Sequence, residues 1–113
     1  MAESTIRAED PVMVLINAFT CEPRNQQQLV EAWQRGTDKV MRYLPGFISA
    51  NIHRSLDGTK VINYAQWANR EAFEASLRNP EVGAYFRELA QIAPPDPVLA
   101  EVVSVHRAAE RPS

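Results

Sequence analysis

Two side chains in the stretch Val61-Ile62-Asn63-Tyr64-Ala65-Gln66-Trp67 can bind an oxygen-bearing ligand. The β-branched and aromatic content of this stretch predicts a strand. Side chains on a strand alternate with a period of two, so Val61, Asn63, Ala65 and Trp67 share one face while Ile62, Tyr64 and Gln66 share the other. Over about 13 Å of strand the first face offers a carboxamide that both donates and accepts, a gap at Ala65, and an indole N–H. Such a face suits a flat ligand with oxygen atoms. The pattern is equally compatible with a buried Asn and Trp satisfied by backbone groups.

The elements that must position these residues read in order. Val12 to Thr20 is β-rich on both faces, which predicts a strand covered on two sides. Asn25 with Gln28 has the form of a capping box, opening a helix that carries Leu29, Trp33, Val40, Met41 and Leu44 and stops at Pro45-Gly46. A second strand from Phe47 to Ser55 is joined to the Asn63 strand by Leu56-Asp57-Gly58-Thr59, whose Asp-Gly pair signals a hairpin. Asn69 can cap a short helix containing Phe73 and Leu77. Asn79-Pro80 can start another containing Val82, Tyr85, Phe86 and Leu89. Pro94-Pro95-Asp96-Pro97 should be a stiff connector into a last strand, Val98 to His106. This βαββαβ order is that of a ferredoxin-like α+β fold, an antiparallel sheet with helices on one face.

Residues 1–113 then form one domain, with 1–10 and 108–113 as flexible tails. Strands with apolar residues on both faces would leave a bare sheet face, which a homodimer joined through the sheets would cover. The ligand cavity is expected inside each subunit, between sheet and helices. Twelve Lys+Arg against 14 Asp+Glu, a formal net charge of −2, are scattered along the chain, so no nucleic-acid or anionic-membrane surface is expected. No segment approaches a membrane span, and the expected location is the cytoplasm. The single cysteine, Cys21, excludes an internal disulfide and reads as a small residue at a strand end. With only His53 and His106 besides, no zinc-type cluster and hence no metal site is expected.

Pro45-Gly46-Phe47, Asp57-Gly58-Thr59, and Val61 to Trp67 followed by Arg70-Glu71-Ala72-Phe73 carry a resemblance that runs over nearly the whole chain. The chain resembles the antibiotic biosynthesis monooxygenase family, above all its cofactor-free oxygenases that convert anthrone intermediates of aromatic polyketide pathways to quinones. Asn-Tyr-Ala-Gln-Trp is common across that family, so it speaks for the fold more than for the reaction. The resemblance implies a dimeric α/β-barrel type of assembly. It also implies catalytic roles for Asn63, Trp67 and Arg87, and a place near the cavity for Asn17 and His53. By pattern, Arg87 falls well off the apolar stripe of its helix, as a solvated surface residue would.

There is no Gly-rich phosphate loop and no haem-attachment motif, so an oxidation here draws its electrons from the substrate and uses O₂ as co-substrate without a cofactor. Phe73, Leu77 and Phe86 would supply an apolar wall for aromatic rings, or else be plain core. Three other readings stay open: quinol oxidation, haem degradation and a non-catalytic dimeric binding module. Haem degradation is disfavoured because Arg70 to Ala93 contains no histidine to serve as axial ligand.

Overall fold

The computed structural model describes residues 3–111. Its elements are β1 Met13–Thr20, α1 Gln26–Lys39, β2 Phe47–Arg54, β3 Lys60–Trp67, α2 Arg70–Ser76, α3 Pro80–Ile92 and β4 Pro97–Ala100. The strands form one antiparallel sheet in the order β2-β3-β1-β4, so the two longest pairings place β3 between β1 and β2. Leu15, Phe19, Val61, Ala65 and Trp67 on one sheet face pack with Leu29 and Trp33 of α1, Phe73 of α2, and Val82, Tyr85 and Leu89 of α3. That shared core makes the fold ferredoxin-like α+β, as the element order predicts.

Local chemistry explains most boundaries. Asn69 caps α2, its side chain accepting from the Ala72 N–H at 2.8 Å, and Asn79 caps α3 by accepting from Glu81 at 2.9 Å. Gly58, at φ +82°, makes the hairpin turn, where Asp57 accepts from both the N–H and the hydroxyl of Thr59.

Four expectations need correction. Asn25 makes no cap bond; it lies in a single 3₁₀ turn, Pro23–Asn25, with helical angles (φ −100°, ψ −7°) instead of the extended angles a cap requires. The Gln26 side chain ties the start of α1 to the hairpin, donating to the Ser55 and Lys60 carbonyls at 3.0 Å each. Secondly, α1 ends at Lys39, not Leu44. Val40 breaks it at φ −125°, and a 3₁₀ turn, Met41–Tyr43, leads to an extended Leu44. Pro45 demands that extended residue before it.

The other two concern the ends of the chain. The last strand stops at Ala100: its partner β1 begins at Met13, and Ala100 already pairs with Val14, so the residues after it run past the end of the sheet. Nor is the leader wholly free. Ser4 bonds Ser49 and Asn51, and the Thr5 carbonyl accepts from Gln66 at 3.0 Å, which lays these residues on the sheet face away from the helices and buries Ser49 and Gln66. Among the described residues no helix is long and apolar enough to cross a membrane.

Candidate functional site

Between the sheet and the helices lie two adjoining cavities. The inner one is a chamber of about 20 Å³. Its floor is Leu15, Asn17, Asn63, Ala65 and Trp67, its side is Phe47 and Ala50 of β2, and its roof is Trp33, Thr37, Met41, Tyr85 and Phe86. The outer one measures about 320 Å³ and is lined by Phe19, Phe73, Leu77, Pro95, Pro97 and Leu99 together with Leu15, Asn17 and Phe86. Leu15, Asn17 and Phe86 thus face both.

The period-two reading of β3 holds. Asn63 is 6% and Trp67 1% exposed, and both line the inner chamber with Ala65 between them. Phe47 and Phe73 fix the Trp67 ring edge-on, with centroids 5.4 and 5.6 Å away. Asn63 lies directly opposite Asn17 across the β1–β3 ladder. The two amides then differ. Asn17 Oδ1 accepts from the Asp96 N–H at 3.1 Å and so holds the proline-rich connector, whereas Asn63 Oδ1 has no partner among the described residues. A buried acceptor without a partner costs about 1–3 kcal/mol. Ligand sites are where such a cost is tolerated.

Of the other residues expected at the site, Asn17, Phe73, Leu77 and Phe86 do line the cavities, Leu77 from a half-exposed position. His53 does not. A β-bulge between Phe47 and Ser49 inverts the parity of β2, so Ala50 and Ile52 face Ala65 and Asn63 while His53 pairs with Ile62 on the opposite face. There His53 is exposed, its Nδ1 within 3.0 Å of the Asn51 carbonyl. Arg87 is exposed on α3 and lines neither cavity, its guanidinium lying near Gly83. Its helix turns it away, as its offset from the Val82, Tyr85, Phe86, Leu89 stripe requires.

Tyr85, which the sequence pattern places only on the apolar stripe of its helix, belongs to the site. Its hydroxyl donates to the Trp33 carbonyl at 3.0 Å, and its ring fills the place of a side chain at Gly36, where a Cβ would stand 2.0 Å from Tyr85 Cε1. The signal was present: Trp33, Gly36 and Thr37 share one helical face, and the glycine marks a close approach. Burial pushes the Tyr85 phenol above its ordinary pKa, against a smaller lowering by the Thr37 hydroxyl and with a further rise from Glu88. It stays neutral. Cys21 is half-buried with its thiol raised by burial, partly offset by Lys60, and it lines neither cavity. Among the described residues no group of three His, Cys, Asp or Glu could hold a metal ion.

No carboxylate, imidazole or ammonium lines either cavity among the described residues. A site so built can bind a largely apolar molecule, hydrogen-bond an oxygen on it and exclude water, but it supplies no general base of its own. It defines a small-molecule site on a ferredoxin-like scaffold.

Residues 12–88 match the antibiotic biosynthesis monooxygenase family. The chain is 33% identical to tetracenomycin-F1 monooxygenase of Streptomyces glaucescens over 99 residues, which is 88% of each chain. Among solved structures it resembles a monooxygenase from the gene ActVA-Orf6 of Streptomyces coelicolor, in complex with nanaomycin D, with TM-score 0.69 and 34% identity over 89% of this chain and 92% of that one. It also resembles SnoaB, a cofactor-independent oxygenase from Streptomyces nogalater, with TM-score 0.71 and 20% identity over 85% of this chain and 97% of that one. The chain belongs to the antibiotic biosynthesis monooxygenase family. It is a monooxygenase, an oxidoreductase.

Proposed function

We propose that the chain oxidises an anthrone-type aromatic polyketide intermediate to a quinone with O₂ and no cofactor, working as a homodimer. The observation that carries this reading is the unpartnered Asn63 carboxamide oxygen on the same cavity wall as the Trp67 indole. A hydroxylated aromatic ketone supplies what that wall lacks, an O–H for the free acceptor and oxygens for the amide and indole N–H donors. The relatives support it: one is named for tetracenomycin F1, one is in complex with nanaomycin D, and one is a cofactor-independent oxygenase.

The chemistry asks little of the protein. An anthrone methylene, conjugated through two rings to a ketone, loses a proton to give a delocalised anion. With no general base in the cavity, the proton goes to water, and Asn63 and Trp67 favour ionisation by hydrogen-bonding the charge that develops on oxygen. The anion passes one electron to O₂, the radical pair combines with formation of a C–O bond, and the peroxide takes up a proton and loses water to leave the quinone carbonyl. The methylene and O₂ thus become a carbonyl and one water. Phe73, Leu77 and Phe86 pack the rings and keep bulk water out.

The test uses Asn63→Ala and Trp67→Phe, with O₂ uptake followed on anthrone. One lost donor is worth about 3–4 kcal/mol at the transition state, so each variant should be slowed about 10²- to 10³-fold while remaining folded. Two folded variants with wild-type rates would sink this mechanism.

A further inference from the structure

We infer that the inner chamber reads a free hydroxyl beside the substrate's ketone, so that any reaction capping that hydroxyl, by O-methylation or O-glycosylation, must follow this oxidation and cannot precede it. This rests on the oxygenase reading above and narrows its substrate to ketones whose neighbouring oxygen still carries its proton. The acceptors around the chamber come first. Asn17 Oδ1 is taken by the Asp96 N–H, the Tyr85 hydroxyl is committed to the Trp33 carbonyl, and the half-buried Thr37 hydroxyl lies beside Tyr85. Asn63 Oδ1 is buried with no partner among the described residues. It needs a donor that the ligand brings. A hydroxyl is one, and a methyl or glycosyl ether is not. The other half of the same carboxamide is an N–H donor, so one amide can meet both a ketone and the hydroxyl next to it. The hydroxyl exchanges its internal bond to the ketone for Asn63 Oδ1, and the ketone takes the amide and indole N–H groups in return.

Size gives the same answer. The chamber measures about 20 Å³, where a single water needs about 10–15 Å³. The oxygenated edge of a ring system can enter it, while the rings stay in the adjoining cavity of about 320 Å³. Its walls close on that edge. Phe47, held edge-on against Trp67, stands with Thr37 and Ala50 between the chamber and an open polar groove that runs along the leader, the end of α1 and β2. Tyr85 closes the roof, its ring sunk against Gly36. A methyl group on the substrate's hydroxyl would have to displace one of these rings. An ether therefore loses twice: it leaves Asn63 without its donor and adds a carbon where the chamber has no room. Sites built to hydrogen-bond a hydroxyl reject ligands that lack it far more strongly than apolar pockets reject a missing methylene.

The probes are 1-hydroxyanthrone, 1-methoxyanthrone and unsubstituted anthrone, which differ only beside the ketone. With O₂ uptake corrected for the uncatalysed reaction, wild type should show a kcat/KM at least about 30-fold higher for the hydroxy than for the methoxy compound, and unsubstituted anthrone should also fall below the hydroxy compound. Asn63→Ala removes the acceptor and opens the space of the carboxamide, so the hydroxy-to-methoxy ratio should shrink to within about threefold. Equal turnover of the two compounds by wild type, or a ratio that Asn63→Ala leaves unchanged, would overturn the inference. Binding of the quinone products to wild type needs neither turnover nor a variant that folds. Calorimetry should find 1-hydroxyanthraquinone bound at least about tenfold more tightly than 1-methoxyanthraquinone, and equal affinities would also overturn it. A wild type that consumes no O₂ with any of these anthrones defeats the oxygenase reading instead, and the quinone affinities still decide on the chamber.

Discussion

Asn63 and Tyr85 show how two buried polar side chains in one chamber serve different ends. The Tyr85 hydroxyl is committed to the Trp33 carbonyl, and its ring is clamped by Gly36, so it shapes the roof and contributes no charge. Its raised pKa has a consequence for stability. Below the ordinary phenol value of 10.0 folded and unfolded chains both keep the proton; above it the unfolded chain loses the proton first. The unfolded state then binds fewer protons, so stability falls as pH rises beyond that point. Chemical denaturation between neutral pH and pH of about 11 should therefore show a smaller loss for Tyr85→Phe than for wild type; equal losses would refute the burial. Asn63 and Trp67 were legible because period two on a regular strand needs no tertiary information. His53 was not, because a single extra residue in β2 inverts every side chain after it, and nothing in Phe47-Ile48-Ser49 announces the bulge.

Elements in this chain end where their partners end. The helix pattern of Leu29 to Leu44 reads as continuous, yet α1 breaks at Val40 so that the chain can extend at Leu44 and turn at Gly46 (φ +82°) into β2. Val98 to His106 reads as one strand, yet of that span only Val98, Leu99 and Ala100 have β1 to pair with. Propensity does not carry that information; it depends on where another segment starts. The prolines of the connector before β4 do not announce its anchor. Asn17 accepts from the Asp96 N–H, and the Ala18 N–H donates to the Asp96 carbonyl at 3.3 Å, so two neighbouring residues of β1 hold Asp96 between the outer cavity's Pro95 and Pro97, at the entry to β4. Asn17→Ala should cost about 1–2 kcal/mol in urea unfolding and speed amide exchange at Asp96, whereas Asn17→Asp, which keeps the acceptor, should retain slow exchange there. Equal exchange rates in wild type and Asn17→Ala would show that the connector is held by its prolines alone.

At the scale of the whole molecule, the sheet face away from the helices is where the proposed homodimer would form. The leader covers one end of it, over Ser49 and Gln66, while Ile16 (39% exposed) and Val98 (50% exposed) stand side by side in register on the other end, next to half-buried Ala18 and Ala100. Leaving such a patch in water invites self-association. Beyond it, Val103 and Val105 are exposed on residues that pair with no strand of their own chain. In the proposed homodimer a second copy would cover both features at once, and stable pairs bury roughly 1,200–2,000 Å². Sedimentation equilibrium at micromolar concentration should give twice the chain mass. Val98→Glu would bury an unpaired carboxylate in that interface, and should weaken dimerisation at least about 100-fold, near 3 kcal/mol, while the far-UV spectrum stays that of the folded chain. The cavities lie on the other side of the sheet, so the monomeric variant should still bind anthrone. A wild type that stays monomeric at every concentration, or a Val98→Glu dimer as tight as wild type, would show that this face is not where copies of the chain meet.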